Sequence, residues 1–326
     1  MPMLINILLL AGGFILLIFG ADLLVDGSAS LAKRLKIPNI VIGLTIVAFG
    51  TSSPELIVNI FSSVQGTSSL AFGNIIGSNI LNIALILGIS AIIRPLNVKH
   101  NTTWYEIPLC MLAAVTSAVL INDKLIDHSE ISCLSRIDGI ILLLFFAVFL
   151  IYSLQIQKRE TPEENTEIKD FPLYRILIYI MLGFAGLLIG GKMIVSSSVK
   201  IAQKMNISER LIGLTIVALG TSLPELATSI TAAVKKNVDI AIGNVVGSNI
   251  FNTFFILGLS AVINPVPLGL TNRDIAVNLF ISFLLFLFIF TGKGRKIDRW
   301  EGLIFTMIYT GYLFLLIFIP ADRFPF

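Results

Sequence analysis

The residues in this chain best placed to do chemistry are two carboxylates, each directly behind a proline: Glu55 in "GTSSPEL" and Glu225 in "GTSLPEL". The same neutral oxygens stand around both. Thr51 and Ser52 lie four and three residues before Glu55, and Thr221 and Ser222 repeat that spacing before Glu225, so in a helix they share the acid's face. A proline inside a helix frees the carbonyl four residues earlier, here that of Gly50 and of Gly220. The local unwinding is expected to open the carbonyls of Ala48, Thr51, Ala218 and Thr221 as well. A second motif follows each acid. "GSNILN" (77–82) sets Ser78 four residues before Asn82, and "GSNIFN" (247–252) sets Ser248 four before Asn252. Asn74, Asn79, Asn244 and Asn249 are expected to bond across helices or cap unwound turns.

This donor set is all hard oxygen, with no His or Cys, which disfavours zinc, copper and other soft metals. Two carboxylates facing each other without a basic partner repel unless a cation or a proton lies between them, and the cation is the better reading. Calcium takes 6–8 oxygens in a flexible shell, whereas magnesium demands a tight octahedron. The additional hydroxyls, carbonyls and amides suit sodium, which needs fewer formal charges.

The elements that carry these residues are membrane helices. The chain has 326 residues, 56% hydrophobic and 13% charged, against about 25% charged in a soluble domain. At roughly 20 apolar residues per crossing, ten spans are predicted: 3–25, 39–64, 70–93, 105–121, 137–156, 172–195, 209–234, 240–263, 274–291 and 301–319. The first is expected to be a retained helix, since it lacks a basic leader and is too long for a signal peptide. A charge at the bilayer centre costs at least about 2.5–3.5 kcal/mol, so acids there are functional candidates. Glu55 and Glu225 are the two expected, with Asp22 and Lys192 assigned to helix ends.

The chain repeats itself. "GLTIVAFGTSSPEL" (43–56) matches "GLTIVALGTSLPEL" (213–226) at 12 of 14 positions, and "AFGNIIGSNILN" (71–82) matches "AIGNVVGSNIFN" (241–252) at 8 of 12. Gly73, Gly77, Gly243 and Gly247 form small-xxx-small patterns that let helices approach. The closing helices also begin alike, "RIDG" (136–139) and "RWEG" (299–302). The expected organisation is a first five-helix repeat (1–156, motif 43–82), a short charged linker (157–171) and a second repeat (172–326, motif 213–252). An odd number of crossings forces the second repeat to enter from the opposite side. The fold class is therefore an all-α polytopic membrane protein of ten transmembrane helices in two inverted five-helix repeats. With both termini outside, 15 of the 23 Lys and Arg fall in inner loops, the orientation favoured by the positive-inside rule.

The net charge of +3 makes no case for nucleic acid. Cys110 and Cys133 match no disulfide or metal spacing, and His100 and His128 fall in or near expected loops. No nucleophile–base or HExxH set argues for an enzyme. A channel would more typically be an oligomer with a ring of identical filters, whereas one chain here builds one site from two halves.

At these motifs the sequence resembles the sodium/calcium exchanger family of the cation/calcium antiporter superfamily, with "GTSSPE…GNIIGSNILN" and "GTSLPE…GNVVGSNIFN" as its two alpha-repeats. The resemblance implies antiport of sodium and calcium in the cell membrane, with no cofactor, by a protein that works as a monomer in the lipid bilayer. It implies calcium on Glu55 and Glu225 with the carbonyls of Thr51 and Thr221. Sodium would use the same glutamates with Thr51, Ser52, Thr221, Ser222 and the carbonyls of Ala48 and Ala218. A central position lined by Glu55, Asn82, Glu225 and Asn252, near Ser78 and Ser248, would hold sodium or water. The first and sixth helices would slide over an eight-helix core. Proton/calcium exchangers carry "GNxxE" around the acid instead, so "GTSxPE" favours sodium. Potassium-dependent members carry Asp where this chain has Asn252, which leans against potassium. Proton or potassium coupling is the alternative, and a cation channel the more remote one. The linker, although acidic, is too short for the large regulatory calcium-binding domains of animal exchangers.

Overall fold

In lipid a backbone must satisfy its polar groups internally, and an apolar run bounded by proline, glycine or charge does so as a helix. The computed structural model, which describes residues 3–66, 68–126, 128, 131–156, 169–205, 218–268, 272–291 and 294–318, is built of such helices. In chain order they are α1 (Met3–Leu35), α2 (Asn39–Thr51), α3 (Ser53–Val64), α4 (Ala71–Ile93), α5 (Thr102–Leu120) and α6 (Arg136–Ile156). The second half has α7 (Leu173–Lys204), α8 (Ala218–Thr221), α9 (Leu223–Val234), α10 (Val238–Ile263), α11 (Asn272–Phe288) and α12 (Arg299–Phe318). Seven are individually long and apolar enough to cross a membrane, and the bent pair α2–α3 makes an eighth. Helices α9 and α11 are shorter, at 12 and 17 residues. Parts of the expected linker (157–168) and of the seventh span and second motif (209–217) lie outside the described residues.

Two expected boundaries fall short. Helix α1 runs to Leu35, not residue 25, and α7 to Lys204, not 195, so neither Asp22 nor Lys192 ends its helix. The acids of α1 are paired: Lys235 Nζ lies 2.6 Å from both Asp22 Oδ1 and Asp26 Oδ1, and Lys169 Nζ 2.9 Å from Asp26 Oδ2. With those charges matched and no proline between Met3 and Pro38, nothing stops the helix where the apolar run ends.

Helices α1 and α7 pack through glycine. A Cβ on Gly13 would sit 3.0 Å from the Gly190 carbonyl oxygen, one on Gly20 2.8 Å from that of Gly183, and one on Gly27 3.1 Å from Ile180 Cγ1. Numbers rise along α1 as they fall along α7, so the pair is antiparallel, as inversion requires of equivalent helices. Gly13 and Gly183 are repeat-mates, as are Gly20 and Gly190, so these two contacts are one contact seen twice. The same exchange joins the halves elsewhere. A Cβ on Gly139 of α6 would lie 2.6 Å from the Gly258 oxygen of α10, and one on Gly302 of α12 2.6 Å from the Gly88 oxygen of α4. Four two-residue strands repeat it at the two ends of the bundle. β1 (Leu96–Asn97) pairs with β4 (Lys296–Ile297), and β2 (Cys133–Leu134) with β3 (Val266–Pro267).

The two helices that begin alike are also capped alike. Ser135 donates through N–H and Oγ to Asp138 Oδ2, and the Asp298 N–H donates to Glu301 Oε2, an acid in the first turn in both cases. Helices α4 and α10 are the centre of the fold, 78% buried over their apolar windows against 22% for α1 and α6. Of the small-xxx-small glycines, Gly243 and Gly247 of α10 receive α2: their Cβ atoms would meet Gly43 Cα at 3.0 Å and Leu44 Cα at 2.7 Å.

This packing predicts that Gly20→Val forces α1 and α7 apart and costs about 1–3 kcal/mol, the usual penalty for overpacking. Gly191→Ala, whose Cβ meets nothing within 4 Å, should be neutral or stabilising. Thermal unfolding of the purified variants in detergent measures both, and equal melting temperatures for the two would contradict the contact.

Candidate functional site

Helix α2 ends at Thr51 and α3 starts at Ser53, bent by 49°. Pro54 has no N–H to donate and sits where a helix tolerates it, in the first turn of α3, with Glu55 beside it at the positive end of the helix dipole. The break is confined to Ser52 (φ −82°, ψ 9°), and Ser222 between α8 and α9 has nearly the same backbone (φ −89°, ψ 9°). So small a break corrects one expectation. The Ala48 carbonyl is not laid open, because it accepts the Ser52 N–H at 3.0 Å and Thr51 Oγ1 at 3.3 Å. Its repeat-mate Ala218 lies in α8.

Across the interface the halves exchange hydrogen bonds. Ser52 Oγ donates to Glu225 Oε1 at 2.8 Å and Ser222 Oγ donates to Glu55 Oε1 at 3.1 Å, with Ser78 Oγ 3.3 Å from Ser222 Oγ. Both acids are buried, at 0% and 1% exposure. In each, the second oxygen, Oε2, has no hydrogen-bond partner. No third Asp, Glu, His or Cys joins them in a metal-binding cluster among the described residues.

A layer of amides lies beside the acids. Helix α3 packs on the π-helical stretch Phe251–Leu257 of α10, and α9 on the π-helical stretch Asn82–Leu87 of α4. Such wide turns shift the face a side chain presents. Asn82 Nδ2 donates to Asn249 Oδ1 at 2.9 Å, and its repeat-mate Asn252 donates to Asn79 Oδ1 at 3.3 Å. Asn249 Nδ2 reaches the Asn79 carbonyl and Asn79 Nδ2 reaches Thr253 Oγ1. With their donors engaged, Asn82 and Asn252 are left with unpartnered Oδ1 atoms. The site therefore holds four buried acceptors without donors: Glu55 Oε2, Glu225 Oε2, Asn82 Oδ1 and Asn252 Oδ1. Leaving each unmade costs about 1–3 kcal/mol, more where the group is charged. Ser248 Oγ and the half-buried Thr221 Oγ1 also have no partner.

Of the flanking asparagines, Asn79, Asn244 and Asn249 bond across helices, as expected, whereas Asn74 Nδ2 is buried without a partner. Asn244 accepts from Thr51 Oγ1 at 3.0 Å and donates to Ser229 Oγ and to the Glu225 carbonyl. Asn59 donates to the Glu55 carbonyl at 2.6 Å. Asn59 and Ser229 were legible as residues one turn after each acid, on its face. The expectation of only two acids within the spans fails. Glu106, inside the span expected at 105–121, is fully buried and accepts from Tyr152 Oη at 2.8 Å, while Glu301 and Asp274 are buried near helix starts.

Comparison with known proteins gives this arrangement a family. The sequence profile described as "Sodium/calcium exchanger protein" matches residues 5–155 and 175–318. The chain belongs to the sodium/calcium exchanger family. It is 32% identical over 350 residues to the sodium/calcium exchanger MaX1 of Methanosarcina acetivorans (97% of this chain, 99% of that one), and 34% identical over 326 residues to the inner membrane protein YrbG of Escherichia coli (96% and 97%). A solved structure of the sodium-calcium exchanger NCX_Mj, soaked with Na+ and Sr2+, superposes with a TM-score of 0.83 at 34% identity, covering 98% of this chain and 100% of that one. The exchanger is thus a multi-pass membrane antiporter of that family, and both broken helices lie within the matched segments.

The amide layer carries a prediction for the exchanger. The Asn79 side chain makes two inter-helix bonds, to Thr253 and from Asn252, so Asn79→Ala should lower stability by about 1–3 kcal/mol. Val148→Ala, on the exposed face of α6, should change it little. Melting temperatures of the two variants decide the point.

Proposed function

We propose that this exchanger moves calcium against sodium by alternating access to the site between α3, α9 and the π-helical stretches of α4 and α10. The single observation behind this reading is the set of four buried oxygen acceptors, two of them carboxylate, with no donor to satisfy them. A desolvated cation satisfies all four at once, and two negative charges match one calcium ion. Glu55 and Glu225 would ligate calcium, with the carbonyls of Thr51 and Thr221 completing the shell. Sodium would take the same carboxylates with Thr51, Ser52, Thr221, Ser222, Asn82, Asn252, Ser78 and Ser248. The Ala218 carbonyl would contribute to sodium, and that of Ala48 only if its two hydrogen bonds were released.

Coupling follows from shared ligands. The carboxylates hold either calcium or sodium, so the loaded site carries one or the other. An empty closed site would press two desolvated like charges together, which opposes leak. Helices α1 and α7, joined to each other by glycine and peripheral to the core, would slide as the gate. Potassium is disfavoured by the amides at both 82 and 252, which keep the site at two negative charges, and the proton by "GTSxPE" in place of "GNxxE" around the acid. Sodium is also favoured by the kinship with NCX_Mj, which was soaked in Na+, Ca2+ and Sr2+. The pairings β1–β4 and β2–β3 suit ten crossings, because each joins loops an even number of spans apart. Both termini would then face outside the cell membrane, and the monomer would suffice.

Vesicles containing the exchanger and loaded with sodium should accumulate radioactive calcium on dilution into choline medium, and Glu55→Gln or Glu225→Gln should reduce uptake to background. Uptake that follows a pH or potassium gradient instead would replace sodium as the coupling ion. Uptake that survives Glu55→Gln would place the site elsewhere.

A further inference from the structure

A cavity of about 240 Å³ opens at the end of the bundle where β1 pairs with β4. Its walls come from the connection after α4 (Arg94, Asn97 and Lys99), the connection between α9 and α10 (Lys236), Asp239 in the first turn of α10, and Asn39 at the start of α2. Three cations and one acid line it, and the acid is already matched: Lys99 Nζ lies 2.7 Å from Asp239 Oδ2. The cavity keeps a net positive charge.

The internal repeat shows that the fold does not need this charge. The repeat-mates of Arg94, Lys99 and Lys236 are Asn264, Gly269 and Gly66, none of them charged. Gly66 has a left-handed backbone (φ 77°), the ordinary role of glycine just past a helix end. Lys236 adopts the same conformation (φ 66°) at a steric cost glycine avoids. A cation has been kept where the local backbone favours glycine. Lys36, just past the end of α1, is also left-handed (φ 55°), so the conformation alone marks no site. The positive-inside bias accounts for basic residues in these loops, but not for three cations from two connections around one cavity.

The surroundings suit an amphiphilic anion. Ile93, next to Arg94, is exposed, and so is Trp104, one turn beyond Lys99, a placement usual for indole at the membrane–water boundary. Basic pockets between membrane helices at that depth take anionic headgroups. We propose that this cavity binds a phosphate group, that of an anionic phospholipid, between Arg94, Lys99 and Lys236. Bound there, it would brace the connection from which Lys235 reaches Asp22 and Asp26 of α1.

The test uses the purified full chain. In native mass spectrometry the wild type should retain phosphatidylglycerol through a wash that strips phosphatidylcholine. Retention should fall at least about tenfold in Arg94→Gln and in Lys236→Gly. The second variant installs the residue its backbone favours, and its melting temperature without lipid, compared with that of the wild type, separates lost binding from lost folding. Millimolar inorganic phosphate should raise the melting temperature of delipidated wild type but not of Lys236→Gly. A phosphate shift without lipid retention would keep the phosphate site and make the free anion its ligand. Equal retention of the two lipids with no phosphate shift, or variants that bind as the wild type does, would overturn the proposal.

Discussion

The structure turns on two carboxylates buried in one interior, each held by a serine from the other half. Ser52 bonds Glu225 and Ser222 bonds Glu55. Neither half can satisfy its own acid, so the halves must meet, and only inversion brings the two equivalent positions to a common level. The glycine contacts between α6 and α10, and between α12 and α4, hold that meeting in register from outside, and the paired strands do so at the ends.

Irregular backbone places the polar groups. One broken residue before each proline sets a glutamate in the first turn of a new helix, where the dipole favours its charge. The π-helical turns then rotate Asn82 and Asn252 so that their amide hydrogens bond across the interface and their oxygens remain. A regular helix has no free backbone groups and a fixed side-chain phase. Membrane helices tolerate departures from it only where protein or a cavity covers them, and α4 and α10 are the most covered helices of this bundle.

Near-identical motifs do not meet identical surroundings. Thr51 is buried and bonded to Asn244, while Thr221 is half-buried with an unpartnered hydroxyl. Asn59 takes the carbonyl of Glu55 for itself, whereas its repeat-mate Ser229 leaves that of Glu225 to Asn244. At the ends of the bundle the divergence is one of charge, with Lys236 standing where the other repeat has Gly66. Inversion sends equivalent residues to opposite faces of a membrane, and the two faces ask different things of them.

The sequence by itself determined the helical class, the two-part duplication and its inversion, and the oxygens worth watching. Hydropathy and repeat spacing are local quantities, and membrane chemistry leaves few folds compatible with them. The same local view missed Glu106, ended α1 too early and counted the Ala48 carbonyl as free. Each of those depended on a partner: a tyrosine on another helix, a lysine more than two hundred residues away, or a hydrogen bond preserved across a one-residue break. Which amide bonds which, and hence which oxygens stay unsatisfied, was decided only when the halves packed, because a hydrogen bond between helices is a property of distance in space and not of spacing along the chain.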